Sequence, residues 1–234
     1  MVISIQEKWR EQEHLWPAAI VMANYLTDAS SEPCKGANIV EAGAGTGLLS
    51  MALGSVSQSK EWSVVATDGD HLALKNIRRN LNLNRLTGRV SVQTWDWYLT
   101  KLPEWAPSVD LIVASDVVYG NLCSTSAYFF LARRLAEIIL ARALESVVGG
   151  SPRPAPHALL LLQVRGGSFE GSTVQAFVAE MERHGLQVDL LEIPPIALAS
   201  VHQEVWPALR LYRATAPAGY SAAGLASKQE GAGP

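Results

Sequence analysis

A glycine-rich segment, VEAGAGTGL at residues 40–48, joins a β-branched stretch to an apolar one. Glycine at Gly43 and Gly45 would let a ligand approach the backbone closely, because a Cβ atom there would obstruct it, and glycine also tolerates the positive φ of a tight turn. The dinucleotide fingerprint GxGxxG requires its third glycine where this chain has Leu48. The GxGxG spacing therefore disfavours a pyrophosphate and favours a ligand whose amino-acid end meets the loop, such as S-adenosylmethionine. Taken alone, the glycines are equally compatible with a bare strand-to-helix turn.

Acidic residues follow three further β-type stretches of the sequence. Asp68 comes directly after SVVAT, Asp96 comes shortly after VSVQT, and Asp116 follows VDLIVAS. Ligands of open α/β sheets bind beyond the carboxyl ends of the strands, so these carboxylates and Gly43 are predicted to line one crevice. A structural role can explain each of them singly but explains the whole set less well.

Two of these acids have predicted partners on a nucleoside ligand. Asp68, which lies 25 residues after Gly43, would accept hydrogen bonds from both ribose hydroxyls. The alternative for Asp68 is a helix N-cap, a role that Asp70 suits better. Asp96 would accept from the adenine amine, with the neighbouring indole against the ring. The alternative there is a tryptophan pair buried in the core.

The surrounding sequence alternates between β-type and helix-type stretches. Strands are predicted at 38–41, 63–67, 90–94, 109–114, 158–164, 186–193 and 209–214, and helices at 16–26, 47–53, 70–83, 126–148 and 173–184. This alternation, with apolar central strands, predicts a parallel sheet covered by helices on both faces and connected by right-handed crossovers. The expected architecture is a doubly wound α/β fold with a mostly parallel seven-stranded sheet.

Composition limits the domain organisation and the partners. The chain has 234 residues, of which 48% are hydrophobic and 18% charged, and its net charge is −3. These values fit one globular core, and the absence of a basic excess disfavours nucleic acid as a partner. We expect a short N-terminal extension at 1–15, one domain at 16–213, and a disordered tail at 214–234, where Ala, Gly, Ser and Pro predominate.

The same sequence features indicate where the protein resides. The charged start and the short apolar runs predict neither a signal peptide nor a membrane span. Cys34 and Cys123 form no CxxC pair and the histidines are scattered, so no metal site is expected. This cysteine usage fits a reduced compartment, the cytoplasm and also the nucleus. We expect a monomer.

Several segments together resemble a class I S-adenosylmethionine-dependent methyltransferase: VEAGAGTGLLS, VVATDGD, NIRRNLNLN, VSVQTWDW and LIVASDVVY. Asp116 and Tyr119 match the Asp-x-x-Tyr motif of the family-16 group of seven-β-strand protein-lysine methyltransferases. LWPAA and ANYL, at 15–19 and 23–26, resemble the tryptophan-containing helix of that group. The resemblance covers roughly residues 16–213 and implies a Rossmann-like methyltransferase fold whose last strand is antiparallel.

The resemblance also implies a role for each matching position. The residues for the methionine end of the cofactor are Glu41, Gly43, Gly45 and Gly47; Asp68 serves the ribose and Asp96 and Trp97 the adenine; Trp16 and Ser115 lie near the reactive end; and Asp116 and Tyr119 face the substrate amine. The chain departs from the family in two places. Only fifteen residues precede Trp16, where family members usually carry a β-rich extension, and Ala42 replaces a leucine or serine.

The implied function is N-methylation of a lysine side chain on a protein. The segment at 164–186 resembles enzymes that act on translation elongation factor 2, which suggests a translation factor as the substrate. The alternatives are a small-molecule N-methyltransferase on the same fold and a non-catalytic cofactor-binding scaffold. Leu48 disfavours a third alternative, an NAD-dependent oxidoreductase.

Overall fold

The computed structural model describes residues 3–5, 14–28, 37–56, 63–118, 126–149, 156–164 and 168–220. Seven strands lie in these ranges: β1 (Asn38–Ala42), β2 (Ser63–Asp68), β3 (Val90–Thr94), β4 (Leu111–Ser115), β5 (His157–Gln163), β6 (Gln187–Leu191) and β7 (Leu209–Thr215). The α-helices are α1 (Pro17–Thr27), α2 (Leu48–Val56), α3 (His71–Leu83), α4 (Ser126–Gly149), α5 (Ser168–Arg183) and α6 (Pro195–Leu198). Short 3₁₀ helices occupy Ala106–Ser108 and Gln203–Ala208.

The strands form one sheet in the order β3-β2-β1-β4-β5-β7-β6. The first five strands are parallel, and β7 pairs antiparallel with both β5 and β6. The prediction of a mostly parallel seven-stranded sheet with its last strand antiparallel is therefore confirmed. The chain order reverses between β1 and β4, and this reversal opens a crevice at the carboxyl ends of those strands.

The two faces of the sheet are covered by separate apolar clusters. In β4, Leu111 and Val113 face the cluster that contains α1, α2 and α3, whereas Ile112 and Ala114 face the cluster that contains α4 and α5. Successive side chains of a strand point to opposite faces, so a strand buried on both sides must be apolar throughout. This requirement explains the continuous apolar runs that mark the central strands in the sequence.

The C-terminal boundary predicted from sequence is wrong by at least two residues. Ala214, the last residue of the predicted strand at 209–214 and also the first of the predicted tail, belongs to β7, and so does Thr215. Ala214 is fully buried and pairs with Ala158 of β5 and Val188 of β6. A small apolar residue in an Ala/Gly-rich stretch can still be a core residue when its strand is paired on both sides. Residues 221–234 of the predicted tail lie outside the described residues.

Helices α1, α3 and α4 match the predicted helices closely, whereas α2 ends at Val56 instead of residue 53 and α5 begins at Ser168 instead of Thr173. The short helix α6 was not predicted. Within the ranges given above, no helix is long and apolar enough to cross a bilayer.

Candidate active site

The glycine-rich loop after β1 turns sharply before α2 begins. Gly43, Gly45 and Gly47 have φ values of 65°, 53° and 78°, a left-handed region that costs other residues about 1–2 kcal/mol. A Cβ on Gly43 would lie 3.0 Å from Val117 Cγ1, and one on Gly47 would lie 3.1 Å from Ile77 Cγ2. The loop therefore needs glycine at these positions both for its conformation and for its packing.

Strand β2 fixes the start of this loop. The Ala44 N–H donates to the Thr67 carbonyl at 2.8 Å, and the Thr67 hydroxyl donates to the Glu41 carbonyl at 2.6 Å. The Gly45 N–H donates to Asp68 Oδ2 at 3.0 Å. The predicted ligand loop and the predicted ribose acid are therefore in direct contact, as a shared ligand would require.

Asp68 lies almost completely buried at the end of β2. Its Oδ1 accepts the Asp70 N–H at 2.9 Å, and Asp70 itself accepts the Leu72 N–H as the N-cap of α3. Asp70, and not Asp68, is therefore the N-cap of α3. Burial raises the pKa of Asp68 above its ordinary value, against the hydrogen bonds from Asp70 and Gly45. A carboxylate has about four acceptor positions, so beside the backbone donors of Gly45, Gly69 and Asp70 the Asp68 carboxylate retains capacity for a ribose hydroxyl.

Glu41 lies behind the loop and is 1% exposed. Its Oε2 accepts the Ser50 N–H at 2.9 Å and the Ser50 hydroxyl at 2.5 Å, which satisfies a donor in the first turn of α2. Burial raises the pKa of Glu41 to about 7, although the two hydrogen bonds from Ser50 oppose the shift. The described contacts of Glu41 therefore support the helix on which the glycine loop ends.

The tryptophans after β3 occupy different environments. Trp95 is buried and packs edge-on against Trp105, with 4.9 Å between the ring centroids, as the core alternative expected. Trp97 is half-buried, and its Cζ2 lies 3.4 Å from the position of a Cβ on Gly43. Among the described residues no acceptor reaches its buried indole N–H. Asp96 is half-buried and accepts the Tyr98 N–H at 3.0 Å.

Asp116 follows β4 on the other side of the topological switch. It is 5% exposed and has a φ of 53°, a conformation that aspartate tolerates better than most residues. Its N–H donates to the Leu161 carbonyl at 2.9 Å, which holds the turn against β5. Ser115 is the last residue of β4 and is half-buried. Val117 packs between this turn and Gly43, so the ends of β1 and β4 form one wall.

The described contacts do not connect two of the predicted site residues to the residues at the strand ends. Trp16 precedes α1 as its N-cap residue, is 36% exposed, and has His14 as its ring neighbour at 6.3 Å. Tyr119 lies outside the described residues. Their assignments near the reactive end and at the substrate amine remain predictions.

Sequence reasoning missed the side chains that hold the loop from behind. Asn80 of α3 is fully buried, and its Nδ2 donates to the Thr46 carbonyl at 3.0 Å. Asn76 and Asn80 stand four residues apart beside Ile77 and Leu81, on the buried side of α3. Polar residues within an apolar helical stripe are a recognisable signal, because a buried polar group requires a partner.

The residues fit S-adenosylmethionine as a ligand. A glycine loop with positive φ values, a buried acid bonded to it, and an unsatisfied indole donor meet at the switch point of the sheet. Together with the fold, this site defines the class of S-adenosylmethionine-dependent methyltransferases. A family model described as lysine methyltransferase matches residues 1–141, more than half of the chain. The chain belongs to this lysine methyltransferase family.

Curated relatives agree with that membership. The mouse protein N-lysine methyltransferase METTL21A is 30% identical over 152 residues, which cover 57% of this chain and 66% of the mouse protein. The Saccharomyces cerevisiae protein-lysine N-methyltransferase EFM3 is 26% identical over 151 residues, covering 56% of this chain and 44% of the yeast protein. The chain thus spans less than two thirds of the length of either relative.

Solved structures agree with the fold. The CcbJ methyltransferase from Streptomyces caelestis superposes with a TM-score of 0.60 at 11% identity, over 90% of this chain and 94% of that one. A methyltransferase from Pyrococcus furiosus gives 0.56 at 14% identity, over 90% and 87%.

Proposed function

We propose that the protein transfers a methyl group from S-adenosylmethionine, in line, to the side-chain amine of a lysine in a protein substrate. The observation that carries the proposal is the hydrogen bond from Gly45 to Asp68, which joins the glycine loop to the neighbouring acid at the switch point where Asp116 also lies. Family membership supports the choice of lysine.

The residues that would hold the cofactor are those at the ends of β1, β2 and β3. The glycine loop would receive the methionine end, Asp68 the ribose hydroxyls, and Asp96 and Trp97 the adenine. When bound, S-adenosylmethionine would supply an electrophilic methyl carbon on a sulfonium. The chain contributes alignment, because fixing the nucleophile near the methyl carbon removes most of the entropic cost of the encounter.

Asp116 would serve the substrate side. A free lysine has a pKa of ~10.4 and arrives protonated, so a buried carboxylate would attract its ammonium group and then orient the neutral amine. Contact with the apolar side chains of Val117 and Val118, both buried, would favour the neutral amine by desolvation. The proton would pass to water or to Asp116. Tyr119 would assist in orienting the amine.

The substrate we propose is a protein, and within that class a translation factor. Of the acids at the strand ends, Asp116 is the one assigned to the substrate, and its carboxylate favours a cationic group over an acidic or apolar one. The likeness of the segment at 164–186 to enzymes acting on translation elongation factor 2 supports the narrower choice.

Incubating the protein with isotope-labelled S-adenosylmethionine and a cell extract tests the proposal. Label on a lysine of a protein, located by mass spectrometry, is the expected result. Label confined to compounds that pass a small-molecule filter would replace the protein substrate with a metabolite. Cofactor binding with no label in either fraction would favour a non-catalytic scaffold.

A further inference from the structure

The segment Ile3–Ile5 is docked on the C-terminal end of α3. The Ser4 N–H donates to Asn84 Oδ1 at 2.8 Å, and Asn84 Nδ2 donates to the Ser4 carbonyl at 2.7 Å. Ile3 and Ile5 are half-buried against the apolar cluster below α3, whereas Ser4 is exposed. One side-chain amide therefore binds the main chain of Ser4 in both directions, and two apolar side chains anchor the segment on either side.

The same amide extends these contacts into the interior. Asn84 Nδ2 also donates to the Asn80 carbonyl at 2.7 Å, and it lies 3.5 Å from Met51 Sδ. Asn80 in turn donates from its own Nδ2 to the Thr46 carbonyl of the glycine loop at 3.0 Å. Hydrogen bonds thus connect Ser4 to Asn84 and Asn84 to the main chain of Asn80, and the side chain of the same Asn80 connects onward to Thr46.

A second contact follows the same route through packing. Met51, which touches the Asn84 amide, donates its N–H to the Gly47 carbonyl at 2.9 Å. Contacts from the C-terminal part of α3 therefore lead directly to Thr46 and, through Met51 of α2, to Gly47. Both routes end on residues of the glycine-rich loop.

We propose that Asn84 and Asn80 are positioning residues that couple docking of residues 3–5 to binding of S-adenosylmethionine by the glycine loop. The proposal rests on the proposed function for the identity of the ligand. The physical reason is the double donation from Asn84 Nδ2. With Ser4 in place, one hydrogen of Asn84 Nδ2 is donated to the Ser4 carbonyl and the other to the Asn80 carbonyl. Without Ser4 the amide is free to rotate, and the turn that presents Asn80 to Thr46 loses a constraint.

Calorimetric titration with S-adenosylmethionine measures this coupling. Ser4→Pro removes the N–H donor of an exposed residue, and Asn84→Ala removes the amide itself. We expect each to weaken the affinity about 2- to 30-fold, the range seen for mutations that modulate coupling at a distance. The double variant should be no weaker than Asn84→Ala, because both changes break one chain. Asn82→Ala, an exposed residue on the same helix, is the matched control and should bind like the wild type.

Coupling is reciprocal, so cofactor binding should in turn stabilise the docked Ser4. A purely structural role of Asn84 would not predict this effect. Saturation with S-adenosylhomocysteine should slow hydrogen exchange of the Ser4 amide in the wild type, measured by NMR, and should not do so in Asn84→Ala. Unchanged Ser4 exchange, or wild-type affinity in both single variants, overturns the coupling while leaving the proposed function intact. Failure of the wild type to bind either compound overturns both.

Discussion

Replacing Glu41 with glutamine should change how the stability of the protein depends on pH. Burial raises the pKa of Glu41 to about 7 from an ordinary value of 4.5. Between pH 4.5 and about pH 7, the Glu41 carboxyl therefore keeps its proton in the folded protein but has released it in the unfolded chain. The contribution of Glu41 to the free energy of unfolding is therefore most favourable at low pH and declines as the pH rises through 7.

The magnitude follows from the two pKa values. Their difference corresponds to about 3 kcal/mol, of which about 2–3 kcal/mol develops between pH 5 and pH 8. Glutamine cannot ionise, but its side-chain oxygen can still accept the two hydrogen bonds from Ser50. Glu41→Gln should therefore gain stability relative to the wild type by about this amount over the same interval.

Urea denaturation of both proteins at pH 5, 6, 7 and 8 measures the difference directly. The exposed residue Glu192 supplies a control, since Glu192→Gln should follow the wild type at every pH. Parallel stability curves for the wild type and Glu41→Gln would refute the reasoning, because they would mean that Glu41 ionises as readily in the folded protein as in the unfolded chain.

Three further substitutions or truncations test the site and the fold. Asp68→Ala removes a charged acceptor worth about 1.5–3 kcal/mol, so calorimetry should show S-adenosylmethionine binding at least about tenfold weaker; unchanged affinity would remove Asp68 from the site. Gly43→Ala places a Cβ 3.0 Å from a neighbouring side chain at positive φ and should lower the free energy of unfolding by about 1–2 kcal/mol. Gly88→Ala is the control and should leave the free energy of unfolding unchanged, because its Cβ would meet nothing within 4 Å. Equal effects of the two substitutions would show that the loop relaxes freely. Ending the chain before Ala214, which is fully buried, should lower the melting temperature by several degrees in calorimetry, and an unchanged value would show that this end of β7 contributes nothing.

The fold was largely predictable because its central strands are buried on both faces. The run at 111–114 in β4 is apolar and buried throughout, and such a pattern can be recognised without knowledge of the tertiary structure. The end of β7 was only partly predictable. The predicted strand at 209–214 reached Ala214 but not Thr215, whose place in β7 depends on pairing with His157 of β5 and Gln187 of β6, both distant in sequence.

The site was predictable where a residue type is tied to the end of a strand. Gly43 and Asp68 follow from strand position and from the chemistry of a nucleoside ligand. Thr67, Ser50 and Asn80 were missed, because each holds the loop through a hydrogen bond to a residue at least nine positions away in the sequence. Such pairings are a property of the folded packing and leave only a weak signal in the sequence, namely a polar residue at a buried position.

The most direct test of the central claim compares the wild type with Asp116→Asn in the rate of label transfer to protein lysine, with S-adenosylmethionine affinity measured in parallel. Asparagine tolerates the positive φ of this position and preserves its shape, so only the charge is lost. The account predicts that affinity for the cofactor is retained while turnover falls roughly a hundredfold or more, because the positioning of the amine is realised on the way to the transition state. Full turnover in Asp116→Asn would contradict the substrate role of Asp116, and label that never appears on lysine in the wild type would contradict the function itself.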